Sequence, residues 1–384
     1  MSAWQDEHFE NQIFTTEGNS SCLELHIFMQ KKIISESLRA WYGEHRRDLP
    51  WRATADPYHI WVSEIILQQT RVDQGLPYYS RFIAAYPDIH TLASASVTSV
   101  LKVWQGLGYY TRARNMHETA KFIDSHLGGH FPDSYDGLLK LKGIGRYTAA
   151  AIASLAFNKP VPVLDANAYR VISRLSGIRF PVNHSRSYIL FRDQAAKIMD
   201  RQHPAEHNQA IMELGALVCV PSCPQCLSCP VSGDCYAFAH GLTDQLPVRE
   251  KKISLRKRYF YYFIITEGRY VYLNHRGKAD IWKGLYDFPM EESARPVDPE
   301  KITGRETWRK LFSDDPVKVS LISSPIKHRL THQMITAVFF HIVREGNAPI
   351  RQEGLTRTDK NKVMQYPLPK LVENYLGEAM KHGC

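Results

Sequence analysis

Apolar residues recur every three or four positions through much of the first 240 residues, which is the period of an amphipathic helix. The clearest segments are PYHIWVSEIILQQT, RVDQGLPYYSRFIAAY, RYTAAAIASLAF and HNQAIMELGALVC. The pattern predicts an all-helical domain from residue 31 to about residue 240. Residues 1–30 are polar and poorly periodic. We interpret them as a leader that is either disordered or precedes the true start, and we assign them no function.

The pattern changes from about residue 257. The runs YFYYFIIT and RYVYLNHR flank a Glu267-Gly268 turn and predict a β-hairpin, and QMITAVFFHIV predicts a buried strand. We therefore expect residues 257–384 to form a separate α+β domain. Residues 241–256 are predicted to be a linker, and the stretch LPVREKKISLRKR (246–258) is basic enough to contact phosphate.

The charge balance favours a polyanionic partner without being sufficient to identify one, because the 384 residues carry a net charge of +9. The start, MSAWQDEHFENQ, contains acids and no apolar signal region, and no apolar run approaches the length of a membrane span. We expect a soluble intracellular protein of the cytoplasm or nucleoid, with no signal peptide and no membrane partner.

Five of the seven cysteines lie in the short loop CVPSCPQCLSCPVSGDC, residues 219–235. In a reducing compartment such a cluster indicates metal binding rather than disulfides. The predicted ligands are Cys219, Cys226, Cys229 and Cys235. Four thiolates in one compact loop favour a cubane iron–sulfur cluster over structural zinc, whose ligands usually form two separated pairs, but the spacing leaves both open. Cys223 is the spare cysteine, and its C-x-x-C spacing to Cys226 leaves the choice of ligands open as well.

The segment LKGIGRYTAAAIA (141–153) predicts two helical segments joined by a tight turn, over about residues 135–157. Gly143 and Gly145 allow a tight turn that leaves backbone N–H groups free at the start of the next helix. Such a turn can bind a DNA phosphate without reading a base. A plain corner between two helices is the alternative.

Two carboxylates are candidates for acid–base chemistry. Glu64 shares a predicted helix face with apolar residues, and an apolar setting would raise its pKa and keep it able to donate a proton; a solvated helix glutamate is the alternative. Asp165 follows the extended run VPVL and opens a helix, which is also what an ordinary N-cap aspartate does. As a pair they match glycosidic cleavage, in which one acid protonates the leaving group and one carboxylate stabilises the cationic sugar.

These motifs occur in a recognisable order: LPWR (49–52), SEIILQQT (63–70), GLGYY (106–110), LKGIGRYTA (141–149), VLDAN (163–167), NQAIMELGA (208–216) and the cysteine loop. Together they resemble adenine DNA glycosylases of the MutY type, in the helix-hairpin-helix superfamily that includes endonuclease III. The resemblance is dense over residues 31–240 and looser beyond. It implies a mainly α glycosylase fold, a [4Fe–4S] cluster on the four cysteines, and a C-terminal Nudix-like domain.

The resemblance also implies residue roles. Glu64 would protonate adenine N7 and activate water, and Asp165 would stabilise the sugar cation or trap it covalently. The implied orienting groups are Tyr147 and Asn167, the adenine-pocket residues are Arg47, Trp51, Leu67 and Gln209, and the residues that wedge into the duplex are Gln69, Thr70, Leu107 and Tyr109. Ala166 replaces the glycine usual in the family's D-G-N signature, and its methyl group is expected to crowd the turn.

Tyr147 also separates two branches of the superfamily. In the endonuclease III branch a lysine at this position cuts the strand through a Schiff base, so its absence predicts a monofunctional glycosylase. Lys142 lies in the hairpin, where a backbone phosphate contact is the simpler role. The alternatives are an endonuclease III-like glycosylase for damaged pyrimidines and a non-catalytic iron–sulfur DNA-binding module.

The C-terminal segment IWKGLYDFP (281–289) resembles the Nudix-like domain that reads 8-oxoguanine in this family. The nearest string to a catalytic Nudix box is RETWRK (305–310), in which Arg309 and Lys310 replace the acids that would bind magnesium, so a hydrolase is not expected. The family's F-S-H lesion-reading loop appears here as LTH, in which Thr331 keeps the hydroxyl and His332 the imidazole, while Leu330 replaces the phenylalanine on which the strength of lesion preference depends. We therefore predict a monomer that binds duplex DNA containing adenine opposite 8-oxoguanine or guanine.

Overall fold

The computed structural model describes residues 20–250, 255–277, 281–312, 317–330, 332–344, 350 and 354–381. The described chain divides into two compact units, Met1–Ala55 with Ala150–Glu250, and Asp56–Ala149 with Lys251–Cys384. Of the three boundaries between these units, those at 55/56 and 149/150 lie within the helical region and that at 250/251 lies after its last helix. The first unit is therefore helical, and the second combines helices with the C-terminal sheet.

The helical region contains twelve α-helices within the described residues. They are α1 Ser20–His45, α2 Pro57–Ile66, α3 Val72–Ala85, α4 Ile89–Ser94, α5 Val97–Val103, α6 Thr111–His126, α7 Tyr135–Leu139, α8 Arg146–Leu155, α9 Ala166–Ser176, α10 Ser187–Ile198, α11 Pro204–Leu217 and α12 Tyr236–Ala239. Short 3₁₀ turns cover Pro50–Arg52, Cys226–Ser228 and Ser232–Asp234. None of the described helices is both long enough and apolar enough to cross a membrane.

The predicted leader and linker fall partly outside the described residues. Helix α1 begins at Ser20, so the backbone of residues 20–30 is helical, while residues 1–19 lie outside the described chain. In the linker, residues 251–254 lie outside it, and the first strand already begins at Arg256.

The core of the first unit is formed by the apolar faces of α1, α9, α10 and α11. Leu38, Ile172, Phe191 and Leu214 are each at most 1% exposed in this cluster. Burying such side chains contributes about 1.5–3 kcal/mol each. In the second unit, Phe82 of α3 packs edge-on against Trp104 with ring centroids 5.7 Å apart, and both are 1% exposed.

The C-terminal region forms an eight-stranded sheet with two further helices. The strands are β1 Arg256–Glu267, β2 Tyr270–His275, β3 Tyr286–Asp287, β4 Met290–Ser293, β5 Val317–Ile322, β6 Ile326–Arg329, β7 Gln333–Arg344 and β8 Leu355–Asp359, and the helices are α13 Glu306–Phe312 and α14 Lys370–Lys381. Along the sheet the order is β3-β2-β1-β7-β5, with β4 on β1, β6 on β7 and β8 on β2. The predicted hairpin is confirmed as the antiparallel pair β1–β2, whereas β1 and β7 pair in parallel.

Strand β1 is buried on both faces, which explains its nearly continuous apolar sequence. On one face Phe260, Tyr262 and Ile264 pack with side chains of α14. On the other, Tyr261, Phe263 and Ile265 pack with side chains of α13. The predicted fold class, a helical region followed by an α+β region, is confirmed.

Candidate active site

Glu64 lies in α2 in the second unit, and its side chain is only 5% exposed. The hydroxyl of Tyr147 donates a hydrogen bond to its carboxylate. Tyr147 belongs to the first turn of α8, directly after the hairpin, and Gln68 Nε2 donates to Thr148 Oγ1 over 3.2 Å beside it. The hairpin therefore places the phenol of Tyr147 against the buried carboxylate of Glu64. This hydrogen bond fixes the orientation of the carboxylate and affects its protonation.

Asp165 lies in the first unit, where it is the N-cap of α9. Its carboxylate accepts hydrogen bonds from Ala168 N over 2.6 Å and from Asn167 Nδ2 over 2.9 Å. Arg170 Nη2 in turn donates to Asn167 Oδ1 over 2.8 Å, which holds the amide in this orientation. Burial raises the pKa of Asp165, and the hydrogen bonds from Ala168 and Asn167 oppose that rise. Asp165 is therefore the N-cap of α9, and its catalytic role stays a prediction.

Ala166 was expected to crowd the turn, but it is the first residue of α9 and its side chain is exposed. Helical backbone suits alanine as well as glycine, so the added methyl group is accommodated here. The extended run before Asp165 is held by Asn208, which accepts from Val163 N over 3.0 Å and donates to Val161 O over 2.9 Å.

The first unit also contains a buried acid that the sequence did not single out. Glu213 on α11 is fully buried and accepts hydrogen bonds from Arg47 Nε and Nη2, over 2.8 and 2.6 Å, and from Arg52 Nη1 and Nη2, over 2.9 and 2.7 Å. These charge-assisted bonds hold the pKa of Glu213 down at about 2, against the opposing effect of burial. The sequence offered one indication of this: Glu213 lies in the motif NQAIMELGA, one helical turn after the predicted pocket residue Gln209.

Three predicted pocket residues lie near this acid in the first unit. Arg47 is 37% exposed at its side chain, Trp51 is buried in the 3₁₀ turn, and Gln209 accepts a hydrogen bond from the hydroxyl of Tyr42. Leu67 belongs to the second unit, where it ends α2.

The predicted wedge residues occupy two turns of the second unit. Gln69 and Tyr109 both have left-handed backbones, with φ of +57° and +49°, which costs a non-glycine residue about 1–2 kcal/mol. The hydroxyl of Tyr109 donates to Gln69 Oε1, so the structure brings these two side chains together. Thr70 Oγ1 donates to Gln68 O over 3.4 Å, and Leu107 is 7% exposed.

The hairpin glycines have different surroundings. Gly143 has φ of +77°, and a Cβ there would lie 2.7 Å from Asn115 Cβ, so this position requires glycine. A Cβ on Gly145 would meet no described atom within 4 Å. The protein itself does not need glycine there, which fits a turn whose backbone is approached from outside. Lys142 pairs with Glu118, and its carbonyl accepts from Thr119 Oγ1 over 2.6 Å.

The four predicted cysteine ligands line one cavity of the first unit together with Arg174, whose Nη1 lies 3.4 Å from Cys219 Sγ. Cys223 lies outside that lining; it is exposed and has φ of +53°. Among the described residues, no three histidine, cysteine, aspartate or glutamate side chains are already arranged as a metal site.

The chemistry of these four thiols nevertheless fits a metal centre. Burial, together with charge on Cys219, Cys235 and Cys226, raises the pKa of Cys229 to about 11. Burial and neighbouring cysteine charge likewise raise the pKa of Cys226 and of Cys235. Four thiolates this close repel one another unless a cationic centre compensates them, which is what a tetrathiolate metal site supplies.

In the C-terminal sheet, His332 is exposed just before β7, and its carbonyl accepts from Arg256 N over 3.1 Å. Thr331 lies outside the described residues. Arg309 and Lys310 lie on α13, where Lys310 pairs with Glu306 over 2.6 Å. An ion pair with a lysine does not resemble a magnesium site.

Two family models match the chain. Residues 62–185 match the HhH-GPD superfamily of base excision DNA repair proteins, and residues 261–378 match the NUDIX domain. A solved thermostable thymine-DNA glycosylase superposes with a TM-score of 0.51 and 28% identity, over 55% of this chain and 98% of that one. Fold and matches define a DNA N-glycosylase of base-excision repair with a Nudix-like C-terminal domain.

The curated relatives narrow the family. The adenine DNA glycosylase of Buchnera aphidicola (subsp. Baizongia pistaciae) is 34% identical over 79% of this chain and 84% of that protein. The human adenine DNA glycosylase is 41% identical over 55% of this chain and 40% of that protein. The chain belongs to the adenine DNA glycosylase family.

Proposed function

We propose that this enzyme is a monofunctional glycosylase that hydrolyses the N-glycosidic bond of adenine mispaired with 8-oxoguanine or guanine. The hydrogen bond from Tyr147 to Glu64 carries the proposal. Tyr147 has a phenol, which forms no Schiff base, at the position where the strand-cutting branch has its lysine amine. The hydrogen bond connects that phenol to a buried acid.

The chemistry divides between the two carboxylates. An enzyme that acts on a base takes it out of the stack into a pocket, and the residues assigned to contact the extruded adenine are Arg47, Trp51 and Gln209 of the first unit and Leu67 of the second. Glu64 protonates adenine N7, which makes the base a neutral leaving group, and afterwards removes a proton from the attacking water. Asp165 stabilises the positive charge that develops on the sugar, or forms a covalent bond to it that water then opens.

Tyr147 and Asn167 act on the reaction through these acids. Each donates one hydrogen bond to a carboxylate, Tyr147 to Glu64 and Asn167 to Asp165. A donated hydrogen bond stabilises the charged form of an acid and fixes its orientation. The two groups are therefore positioning residues rather than proton donors to the substrate.

Recognition of the mispair is assigned to three parts of the chain. Gln69, Thr70, Leu107 and Tyr109 wedge into the duplex beside the base opposite adenine, while the hairpin at Gly143 and Gly145 binds a backbone phosphate. The Nudix-like domain reads 8-oxoguanine through His332, with Thr331 beside it in sequence, and performs no hydrolysis of its own. The enzyme acts as a monomer.

The proposed cofactor is a [4Fe–4S] cluster held by Cys219, Cys226, Cys229 and Cys235. When bound it would supply a positive centre that compensates the four thiolates and would fix the fold of this loop, which faces DNA in this proposal. No step of bond cleavage passes through it in this proposal.

The test is single-turnover release of adenine from a duplex with adenine opposite 8-oxoguanine, analysed with and without hot alkali. Two further duplexes are tested in parallel: one carries thymine glycol, and the other carries thymine opposite guanine. Strand breaks only after alkali, and only on the adenine duplex, are expected. Cleavage of the thymine-glycol duplex without alkali would instead indicate an endonuclease III-like enzyme, and binding without any base release would indicate a non-catalytic module.

A further inference from the structure

Two neighbouring turns in the second unit are held in an unfavourable conformation. One follows α2 and contains Gln69, and the other precedes α6 and contains Tyr109, and both residues have positive φ. Left-handed residues other than glycine persist only where surrounding contacts fix them. The contact between the two side chains, from Tyr109 to Gln69, does not hold either backbone by itself.

One guanidinium holds both turns. Arg112 Nη1 donates to the carbonyl oxygens of Ile65, Ile66 and Gln68 over 2.7, 3.2 and 2.7 Å. Its Nη2 lies 3.4 Å from the carbonyl oxygen of Gly108. Arg112 therefore satisfies the carbonyls at the end of α2, which also carry the negative end of the helix dipole, and reaches the second turn at the same time.

The same guanidinium also contacts the rings of the second turn. Its central carbon lies 5.1 Å from the centroid of Tyr109 and 5.5 Å from that of Trp104, both within cation–π range. Trp104 Nε1 donates to the Gly108 carbonyl over 3.0 Å. Burial lowers the pKa of Arg112 to about 10, which still leaves it charged at neutral pH.

We propose that Arg112 is the positioning residue of the wedge: it fixes the distance and orientation between Gln69 and Tyr109, so that both enter the duplex together at a mispair. This inference rests on the wedge roles given to those residues under the proposed function. A lysine could not replace it, because a single ammonium lacks the planar fork that reaches several carbonyls and stacks on a ring.

The test compares Arg112→Lys with wild type on two duplexes. In the first duplex, the base pairs on both sides of the adenine opposite 8-oxoguanine are intact. In the second, the flanking bases are left unpaired, so that the base stack is already open. On the paired duplex we expect the single-turnover rate constant to fall by about tenfold to a hundredfold, since small misplacements have effects of this size. On the opened duplex the variant should match wild type, because a group that does not act in the step measured does not change its rate constant.

An equal loss on both duplexes, or no loss on either, would overturn the assignment. Phe191→Leu, in the core of the first unit, is the stability control. It should lower the melting temperature, and any change in its rate constant should be the same on both duplexes. If Arg112→Lys does not fold, Trp104→Phe removes the Trp104–Gly108 bond and also trims the ring that packs against Phe82 and lies over Arg112. Trp104→Phe should then lower the rate constant by less than the loss expected for Arg112→Lys, and again only on the paired duplex. A Trp104→Phe variant without that difference between the duplexes would count against the proposal.

The result is separable from the proposed function. If wild type releases a base other than adenine, the proposed substrate is wrong. The same pair of duplexes carrying that other base then still tests Arg112, because the opening of the stack does not depend on which base is removed.

Discussion

Asn167 donates a hydrogen bond to the carboxylate of Asp165 over 2.9 Å, and α9 donates a second through Ala168 N. Both bonds stabilise the ionised form, while burial favours the neutral one. The balance leaves a carboxylate with a raised pKa that is rigidly oriented at the start of a helix. A nearby cation would lower that pKa again, so the side chain is suited to stabilise positive charge that appears only during the reaction.

Asp165→Asn should abolish base release and leave DNA binding largely intact, because the amide keeps the shape but cannot carry the charge. The expected loss is at least about a hundredfold in the single-turnover rate constant. Measuring the dissociation constant on the same duplex separates binding from chemistry. Asp193→Asn, an exposed acid of the same unit, serves as the control. A variant that turns over at the wild-type rate would remove Asp165 from the mechanism.

Asn167→Ala should shift the pH dependence of the reaction. Removing the hydrogen bond leaves burial less opposed, so the pKa of Asp165 rises further. Because the ionised carboxylate is the active form, the acidic limb of the rate–pH profile moves to higher pH, and the variant approaches wild type in alkaline buffer. A loss that is equal at every pH would show that Asn167 acts otherwise. Asn183→Ala is the control, because Asn183 is exposed and its side chain donates a hydrogen bond only to the backbone carbonyl of Glu250 among the contacts described. This variant should leave the rate–pH profile unchanged.

Glu213→Gln should destabilise the first unit. The substitution removes the charge that holds Arg47 and Arg52, and breaking a buried ion pair costs about 3 kcal/mol in the free energy of unfolding. Urea denaturation measures the loss. Glu206→Gln on the same helix is the matched control, since the Glu206 side chain is 57% exposed and its pair with Arg39 should contribute under about 1 kcal/mol. Equal losses in both variants would contradict the importance of burial here.

His207 predicts a stability loss on mild acidification. Its imidazole is 1% exposed and hydrogen-bonded to Ser35 Oγ over 3.0 Å, and burial lowers its pKa from 6.5 to about 4, with Arg39 lowering it and Asp200 raising it. The unfolded chain therefore binds a proton below about pH 6.5 that the folded chain accepts only near pH 4. Stability falls as pH decreases through that window, by up to about 3 kcal/mol.

Urea midpoints measured across this window should fall less steeply in His207→Gln than in wild type. His126→Gln, an exposed histidine of the second unit, should keep the wild-type slope. Parallel slopes in all three proteins would assign the acid sensitivity to other groups.

Local patterns predicted much of this molecule because they reflect local physics. The apolar period of α2 and the hairpin glycine Gly143 can be read directly from neighbouring residues. The parallel pairing of β1 with β7 could not, because nothing in either strand specifies a partner so far along the chain. Glu213 is the same case within the site. It meets Arg47 across 166 residues, and only the folded helices reveal that a glutamate in an ordinary helical pattern is fully buried.

Cys229 and Cys223 of the cysteine loop allow a direct test of the proposed ligand set. Cys229 lines the cavity and its thiol pKa is raised to about 11, whereas Cys223 is exposed outside that lining. Cys229→Ser should therefore lower the iron content and visible absorbance of the purified protein and lower its melting temperature, because metal binding free energy is also folding free energy. Cys223→Ser should match wild type in all three measurements. If Cys223→Ser lost iron and Cys229→Ser did not, the ligand set would have to include Cys223, and the loop would coordinate through its C-x-x-C pair instead.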